Sequence, residues 1–449
     1  MPSSLTRAIV SVPNGFDPGV LSALPEHLQQ TIRRRNEVLG PGYTLIYREP
    51  VEFVSGRGAH LIDHEGRDYL DAYNNVPCVG HAHPRVVEAV SWQLAAVNTN
   101  TRYVQEALVD YAERLLATFP EELSKLSLAC SGSEANDLAM RVARFHTGGE
   151  GIIVTRWAYH GITSAVSSFS PSLGKGSPLG PNVRLIDPPD PRLVAPGSTL
   201  AEHMRHQVRG AIDDLERHGF RLAALVTDCA YSSDGIFTDP VGYMKAVVEE
   251  VHAAGGVYIA DEVQAGFARL GDSMWGFTRH GAVPDIVTMG KPMANGLPLS
   301  GVVFRPEVSE EFGRNVRYFN TFAGSSVPVA AAAAVLDVFE EENVQQRVLE
   351  NGTALRAGIE QITRESPYVA EVRGSGLYVA VEIVKDNETL EPDRARAEDV
   401  INDMRDRRVL ISGTGQGANV LKIRPPLAFS SADVTRFLDT FAEVAKVRL

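Results

Sequence analysis

Leu222-Ala223-Ala224-Leu225-Val226-Thr227, followed at once by Asp228, and Val257-Tyr258-Ile259-Ala260, followed at once by Asp261, decide how this chain folds. Each is a short, unbroken apolar run. A strand with one wet face alternates apolar with polar residues, so unbroken runs read as strands of a parallel sheet covered on both faces. Between them Asp239 and Pro240 open a helix that carries Met244, Val247, Val248 and Val251 on one face, and Gly255-Gly256 stops it. Strand, helix and strand in that order form a right-handed crossover. Ligands of such sheets bind where the carboxyl ends of the strands emerge, so Asp228 and Asp261 are expected to project into the ligand crevice.

Working outward, Asp285-Ile286-Val287-Thr288-Met289-Gly290-Lys291-Pro292 repeats the pattern one strand step later and brings Lys291 to the same edge. A lysine in a Gly-Lys-Pro turn is ordinarily a solvated amine; its distance from Asp261 in sequence is what places it in the crevice. Upstream, the apolar strand Gly151–Thr155 leads to Tyr159-His160-Gly161, where Tyr159 offers either a flat face for a heteroaromatic ring or simple packing. Leu126–Ala129 is a further strand, running into Cys130-Ser131-Gly132-Ser133-Glu134-Ala135-Asn136 and then a helix bearing Leu138, Val142 and Phe145. Small residues at a strand-to-helix turn leave backbone N–H groups and the helix dipole open to an anion. The turn therefore reads as a phosphate cup, with Ser131 also suited to be the N-cap.

The flanks are less regular. Residues 1 to about 50 mix Pro, Gly and Arg33-Arg34-Arg35 without sustained periodicity and read as an arm; Val51 to Leu70 reads as a small antiparallel meander. His81 and His83 form a His-x-His pair, but no third ligand lies at a suitable spacing and Pro84 marks a helix start, so no metal site is expected. On that helix Val87, Val90, Leu94 and Val97 make a stripe expected to face a core. Thr199-Leu200-Ala201-Glu202 is a capping box. The expected class is α/β: a large domain with a mostly parallel sheet over residues 76–327, and a smaller α+β domain made from residues 1–75 and 328–449.

A chain of 449 residues is long enough for one large core and a second, smaller one. Its 44% hydrophobic and 22% charged residues are ordinary for a soluble globular protein, and a net charge of −13 argues against nucleic-acid binding and against attachment to anionic lipid. A small-molecule partner is expected. Cys78, Cys130 and Cys229 have no paired spacing, which points to a reducing compartment. The apolar run Ala8-Ile9-Val10 is too short for a signal segment, and Val327–Leu336 is too short to span a bilayer; a cytoplasmic location is expected.

A lysine, a carboxylate, an anion cup and an aromatic plate at one sheet edge are the set that holds pyridoxal 5'-phosphate. The ordered motifs Cys130–Asn136, Tyr159–Gly161, Asp261–Arg269 (Asp-Glu-Val-Gln-Ala-Gly-Phe-Ala-Arg), Gly290-Lys291 and Asn320-Thr321-Phe322 resemble those of the class III aminotransferase family, over residues 45 to 430 or so. The resemblance implies that Lys291 is the Schiff-base lysine and, once free, the base for the α-proton. It implies that Asp261 partners the pyridine nitrogen, that Gln264 approaches the ring hydroxyl and that Tyr159 stacks on the ring. Ser131, Gly132 and Ser133 would hold the phosphate, with His160 and Asp228 also in the cofactor site. Thr321 would reach the phosphate of a neighbouring subunit, which implies a homodimer with shared active sites, and Arg424 matches a position that handles a substrate carboxylate.

Where many members have Glu-Pro-Val-Gln-Gly, this chain has Asp228-Cys229-Ala230-Tyr231-Ser232. With Tyr73-Asn74-Asn75-Val76-Pro77 and Asn98-Thr99-Asn100-Thr101-Arg102-Tyr103, this resembles the branch that contains ethanolamine-phosphate and phosphohydroxylysine phospho-lyases. Tyr73, Asn75, Arg102 and Arg424 are the candidates for gripping the substrate. Phosphate elimination from a phosphorylated amine is the first expectation, transamination between an amine and a keto acid the second. A non-catalytic binding protein on the same fold ranks third.

Overall fold

The two apolar runs are strands that pair in parallel at the middle of a seven-stranded sheet in the computed structural model, which describes residues 14–449. In chain order the strands are β1 (Lys125–Ala129), β2 (Gly151–Thr155), β3 (Val183–Ile186), β4 (Leu222–Asp228), β5 (Val257–Asp261), β6 (Ile286–Met289) and β7 (Ser300–Phe304). In space they run β1-β7-β6-β5-β4-β2-β3; β2 to β6 are parallel, and β7 is antiparallel to both its neighbours. Alternation along a strand sends neighbouring residues to opposite faces. Tyr258 and Ala260 of β5 accordingly enter one hydrophobic cluster, while Val257 and Ile259 enter another. Two covered faces explain why β4 and β5 carry no charged residue before Asp228 and Asp261.

Two further sheets flank this one. Phe53–Arg57, His60–Asp63 and Asp68–Asp71 form the antiparallel meander, and Val409–Leu410 adds to it in parallel from the far end of the chain. Val369–Ser375, Tyr378–Ile383, Val420–Ile423 and Ser412–Thr414 make an antiparallel sheet. No helix among the described residues is long and apolar enough to cross a membrane. The Ala8–Val10 run lies outside the described residues.

The structure departs from the sequence reading in three places. The helix expected from Pro240 begins at Met244, because the Asp239 carboxylate is engaged by Thr238 Oγ1 and Arg279 Nη2, both at 3.1 Å, instead of capping, and Gly242 turns the chain at φ +84°. The arm contains a helix, Glu26–Val38, with only Leu28 and Ile32 buried, too few apolar positions to show as a period. Of the stripe on helix Pro84–Ala96 only Val90 packs against the core: Val87, Leu94 and Val97 are 51%, 64% and 53% exposed, whereas Val86 and Gln93 are buried.

Candidate active site

Asp228, Asp261 and Thr288 lie abreast at the carboxyl ends of β4, β5 and β6, paired in register across the sheet. Register converts the ends of three apolar runs into a row of polar groups at one edge. Above that edge is a cavity of about 270 Å³ whose wall includes Ser131, Gly132, Ser133, Tyr159, His160, Asp228, Asp261, Gln264 and Lys291. Most of the sequence candidates are therefore brought together.

Asp261 is held from several sides. Its Oδ1 accepts from the N–H of Val263 at 3.0 Å, while its Oδ2 lies 2.8 Å from Nδ1 of His160 and accepts from Nδ2 of Asn136 at 2.9 Å. Asn136 also donates to the carbonyl of His160, and its Oδ1 accepts from the Thr288 hydroxyl at 2.7 Å. One amide thus ties the helix Gly132–Thr147, the turn after β2 and strands β5 and β6 into a fixed frame. The adjacent acid, Glu262, turns away from the cavity to accept from the N–H groups of Gly276 and Phe277; burial pushes its pKa up to about 7. Asp228 accepts from the N–H groups of Ala230 and Ser232, and burial, with Asp261 beside it, raises its pKa.

Lys291 has neither a hydrogen-bond nor an ion-pair partner among the described residues. Burial and then the Arg424 charge lower its pKa, with Asp261 and Asp228 pulling the other way. The cup forms as its residue types require. Ser131 caps the helix Gly132–Thr147 through its Oγ to the N–H of Glu134, and the Glu134 carboxylate reaches back to the N–H of Cys130 at 2.6 Å. A side chain at Gly132 would meet Val263 at 3.0 Å. One at Gly161, where φ is +139°, would come within 2.4 Å of Ser133 Oγ. The backbone is consequently bare at the helix N-terminus. Tyr159 lines the same cavity, its phenol pKa raised by burial and by Asp261.

Gln264 is fixed from behind. Its Oε1 accepts from Nη1 of Arg424, from Tyr378 OH at 3.3 Å and from Nζ of Lys422 at 3.4 Å. Arg424 also donates Nε to the carbonyl of Tyr73 at 3.3 Å, and its guanidinium lies 5.2 Å from the Tyr73 ring centroid. Asn75 is buried nearby in the chain, next to the cavity residue Val76. Five candidates do not line this cavity: Arg424 and Tyr73, linked to it through Gln264, Asn75, and two exposed residues, Arg102, which lies 3.8 Å over the Phe319 ring, and Thr321. Asn136, Thr288 and Lys422 were missed. Asn136 and Thr288 are polar residues buried inside an amphipathic helix and an apolar strand, a signal open to a reader of the sequence. Lys422 had none, since a lysine at an alternate position of a strand reads as solvated.

The aminotransferase class-III family model matches residues 47–445. A phospholyase from Arthrobacter, solved in complex with phosphoethanolamine, is 41% identical and superposes with a TM-score of 0.89 over 93% of this chain and 99% of that one. An alanine–glyoxylate aminotransferase 2-like protein of Drosophila melanogaster is 38% identical over 92% of this chain and 86% of its own length. The ethanolamine-phosphate phospho-lyase homolog 1 of Caenorhabditis elegans is 34% identical over 93% of both. The family uses pyridoxal 5'-phosphate. The residues fit that group: an unpartnered amine at the wall, bare backbone at a helix N-terminus, and a buried His160 whose Nε2 lacks a protein partner.

Proposed function

The chain belongs to the class III aminotransferase family of pyridoxal-phosphate-dependent enzymes, and we propose that within it the protein is a phospho-lyase. The reaction converts a phosphorylated primary amine, such as ethanolamine phosphate, and water into an aldehyde, ammonia and inorganic phosphate. The observation that carries this reading is the likeness, across 93% of the chain, to a phospholyase whose complex holds phosphoethanolamine.

When bound, the cofactor supplies a conjugated ring that accepts electrons from the carbon bearing the substrate nitrogen. Lys291 attaches it and, once released, takes the proton from that carbon; a lowered pKa favours the neutral amine this needs. Asp261, oriented by Asn136 and His160, would hold the ring nitrogen, Tyr159 and Gln264 would hold the ring and its hydroxyl, and Asp228 would complete the wall of the same cavity. Ser131, Gly132 and Ser133 hold the cofactor's phosphate at the helix N-terminus. Arg424, with Tyr73 and Asn75, receives the substrate's phosphate; a guanidinium held only by neutral acceptors is available to an anion.

The enzyme works as a homodimer. In the single chain the run from helix Pro84–Ala96 onward exposes Trp92, Leu94, Val97, Tyr103 and Val104, large apolar side chains of the kind an interface covers. Arg102 and Thr321, which do not line this chain's cavity, serve the partner's. Residues 76–327 form the cofactor-binding domain, and residues 1–75 join 328–449 in the smaller one, a division supported by the pairing of Val409–Leu410 with Asp68–Asp71. The compartment is the cytoplasm, a reading supported by three unpaired cysteines, two of them buried.

The test is incubation of the holoenzyme with ethanolamine phosphate in the absence of any keto acid. Equal catalytic release of phosphate and ammonia is expected. Turnover that appears only when an amine donor and a keto acid are paired would overturn elimination in favour of transamination.

A further inference from the structure

We propose that His27, Glu52 and His64 form a transition-metal site, suited to Zn²⁺, that fastens the N-terminal helix to the meander sheet. One ligand atom from each of the three side chains lies within 4.8 Å of the other two. They come from three segments: the first turn of helix Glu26–Val38, the residue before strand Phe53–Arg57, and the turn between His60–Asp63 and Asp68–Asp71. The two imidazole rings have centroids 4.4 Å apart, inclined at 58°. His27 Nε2 is shielded from solvent and has no hydrogen-bond partner, and the Glu52 carboxylate makes no ion pair or hydrogen bond among the described residues. The acid beside His64 is Glu65, at 3.6 Å, itself held by Arg67 at 2.8 Å.

Two imidazoles and a carboxylate are a zinc donor set, with bonds of about 2.0–2.2 Å and a fourth position left for water. Tetrahedral bonds of that length put ligand atoms about 3.4 Å apart, so rotation of these surface side chains by roughly 1 Å closes the site. Packing explains what the site does. The apolar residues Leu24, Leu28 and Ile32 cluster with Phe16, Leu21 and Leu45, separately from the main core. A metal bridging His27 to Glu52 and His64 ties that satellite to the sheet, and its binding energy adds to the stability of the attachment. The His81–His83 pair has no such geometry, because those rings are taken by Asp71 and Glu342.

The experiment titrates chelator-treated, full-length holoenzyme with Zn²⁺ against a chromophoric chelator, and follows trypsin cleavage after the exposed Arg33 and Arg34. One tight equivalent per chain is expected, weakened roughly tenfold or more in His64→Ala and in His27→Asn. Zn²⁺ is expected to slow cleavage in the wild type but not in either variant. An unchanged cofactor absorbance spectrum and turnover certify that the variants are folded. Zn²⁺ affinity equal in wild type and both variants, or no binding at all, overturns the site; tight binding that leaves the cleavage rate unchanged overturns its fastening role.

Discussion

Lys291 is an unpartnered amine whose burial, and then the neighbouring Arg424 guanidinium, lower its pKa, so its proton is less tightly held than that of a surface lysine. If it is the attachment point and the base, Lys291→Ala lowers turnover by roughly 10²–10⁴ or more. Borohydride reduction then leaves the cofactor's mass on the wild-type chain and none on the variant, which mass spectrometry reads directly. Asn136→Ala tests the frame instead. It strips the Asp261 carboxylate of a donor and the Thr288 hydroxyl of its acceptor inside the protein, a cost of about 1–3 kcal/mol. A lowered melting temperature and weaker retention of the cofactor on dialysis are expected, and a variant indistinguishable from wild type in both would refute that account. The sequence made Asp261 and Lys291 legible because each follows an apolar strand. The hydrogen bonds that aim Asp261 were hidden, since Asn136 lies far away in the chain and only folding brings it near.

At the scale of elements, the strand-to-helix turns set the precision of the site. The turn after β2 approaches the N-terminus of helix Gly132–Thr147 so closely that Gly161 has no room for a methyl group. Gly161→Ala is expected to displace Ser133 and abolish cofactor retention. Gly197→Ala, also at positive φ but with open space around it, costs about 1 kcal/mol and leaves retention intact. Equal retention in the two variants would contradict this. Strands β2, β4, β5 and β6 were readable because burial on both faces writes an unbroken apolar run. Element starts were less so: Asp239-Pro240 carries every local mark of a helix N-terminus, yet a long-range partner, Arg279, takes its carboxylate. The pattern Val87, Val90, Leu94 and Val97 correctly announced a helix but not what covers it, because periodicity does not distinguish a core from an interface.

For the whole molecule, that exposed helix is where the homodimer proposal is most vulnerable. Trp92 and Leu94 are 70% and 64% exposed in the single chain. Replacing both with Glu is expected to shift the protein from dimer to monomer in light scattering coupled to size exclusion. Turnover should fall with it, because Thr321 and Arg102 then have no partner site to complete. A variant that remains dimeric with full activity would move the interface elsewhere.

The acceptor that Gln264 offers to Arg424, Lys422 and Tyr378 is electrically neutral, and this makes the wall behind it selective for the sign of charge. Burial and the neighbouring Arg424 keep Lys422 well below its usual pKa. An incoming phosphate or carboxylate would place a full negative charge beside these groups and raise the pKa of Lys422 again. An ammonium or an uncharged tail gains nothing there. On the proposed function, the wall would act as a one-way electrical filter, ranking amines by the charge they carry at the end remote from the nitrogen.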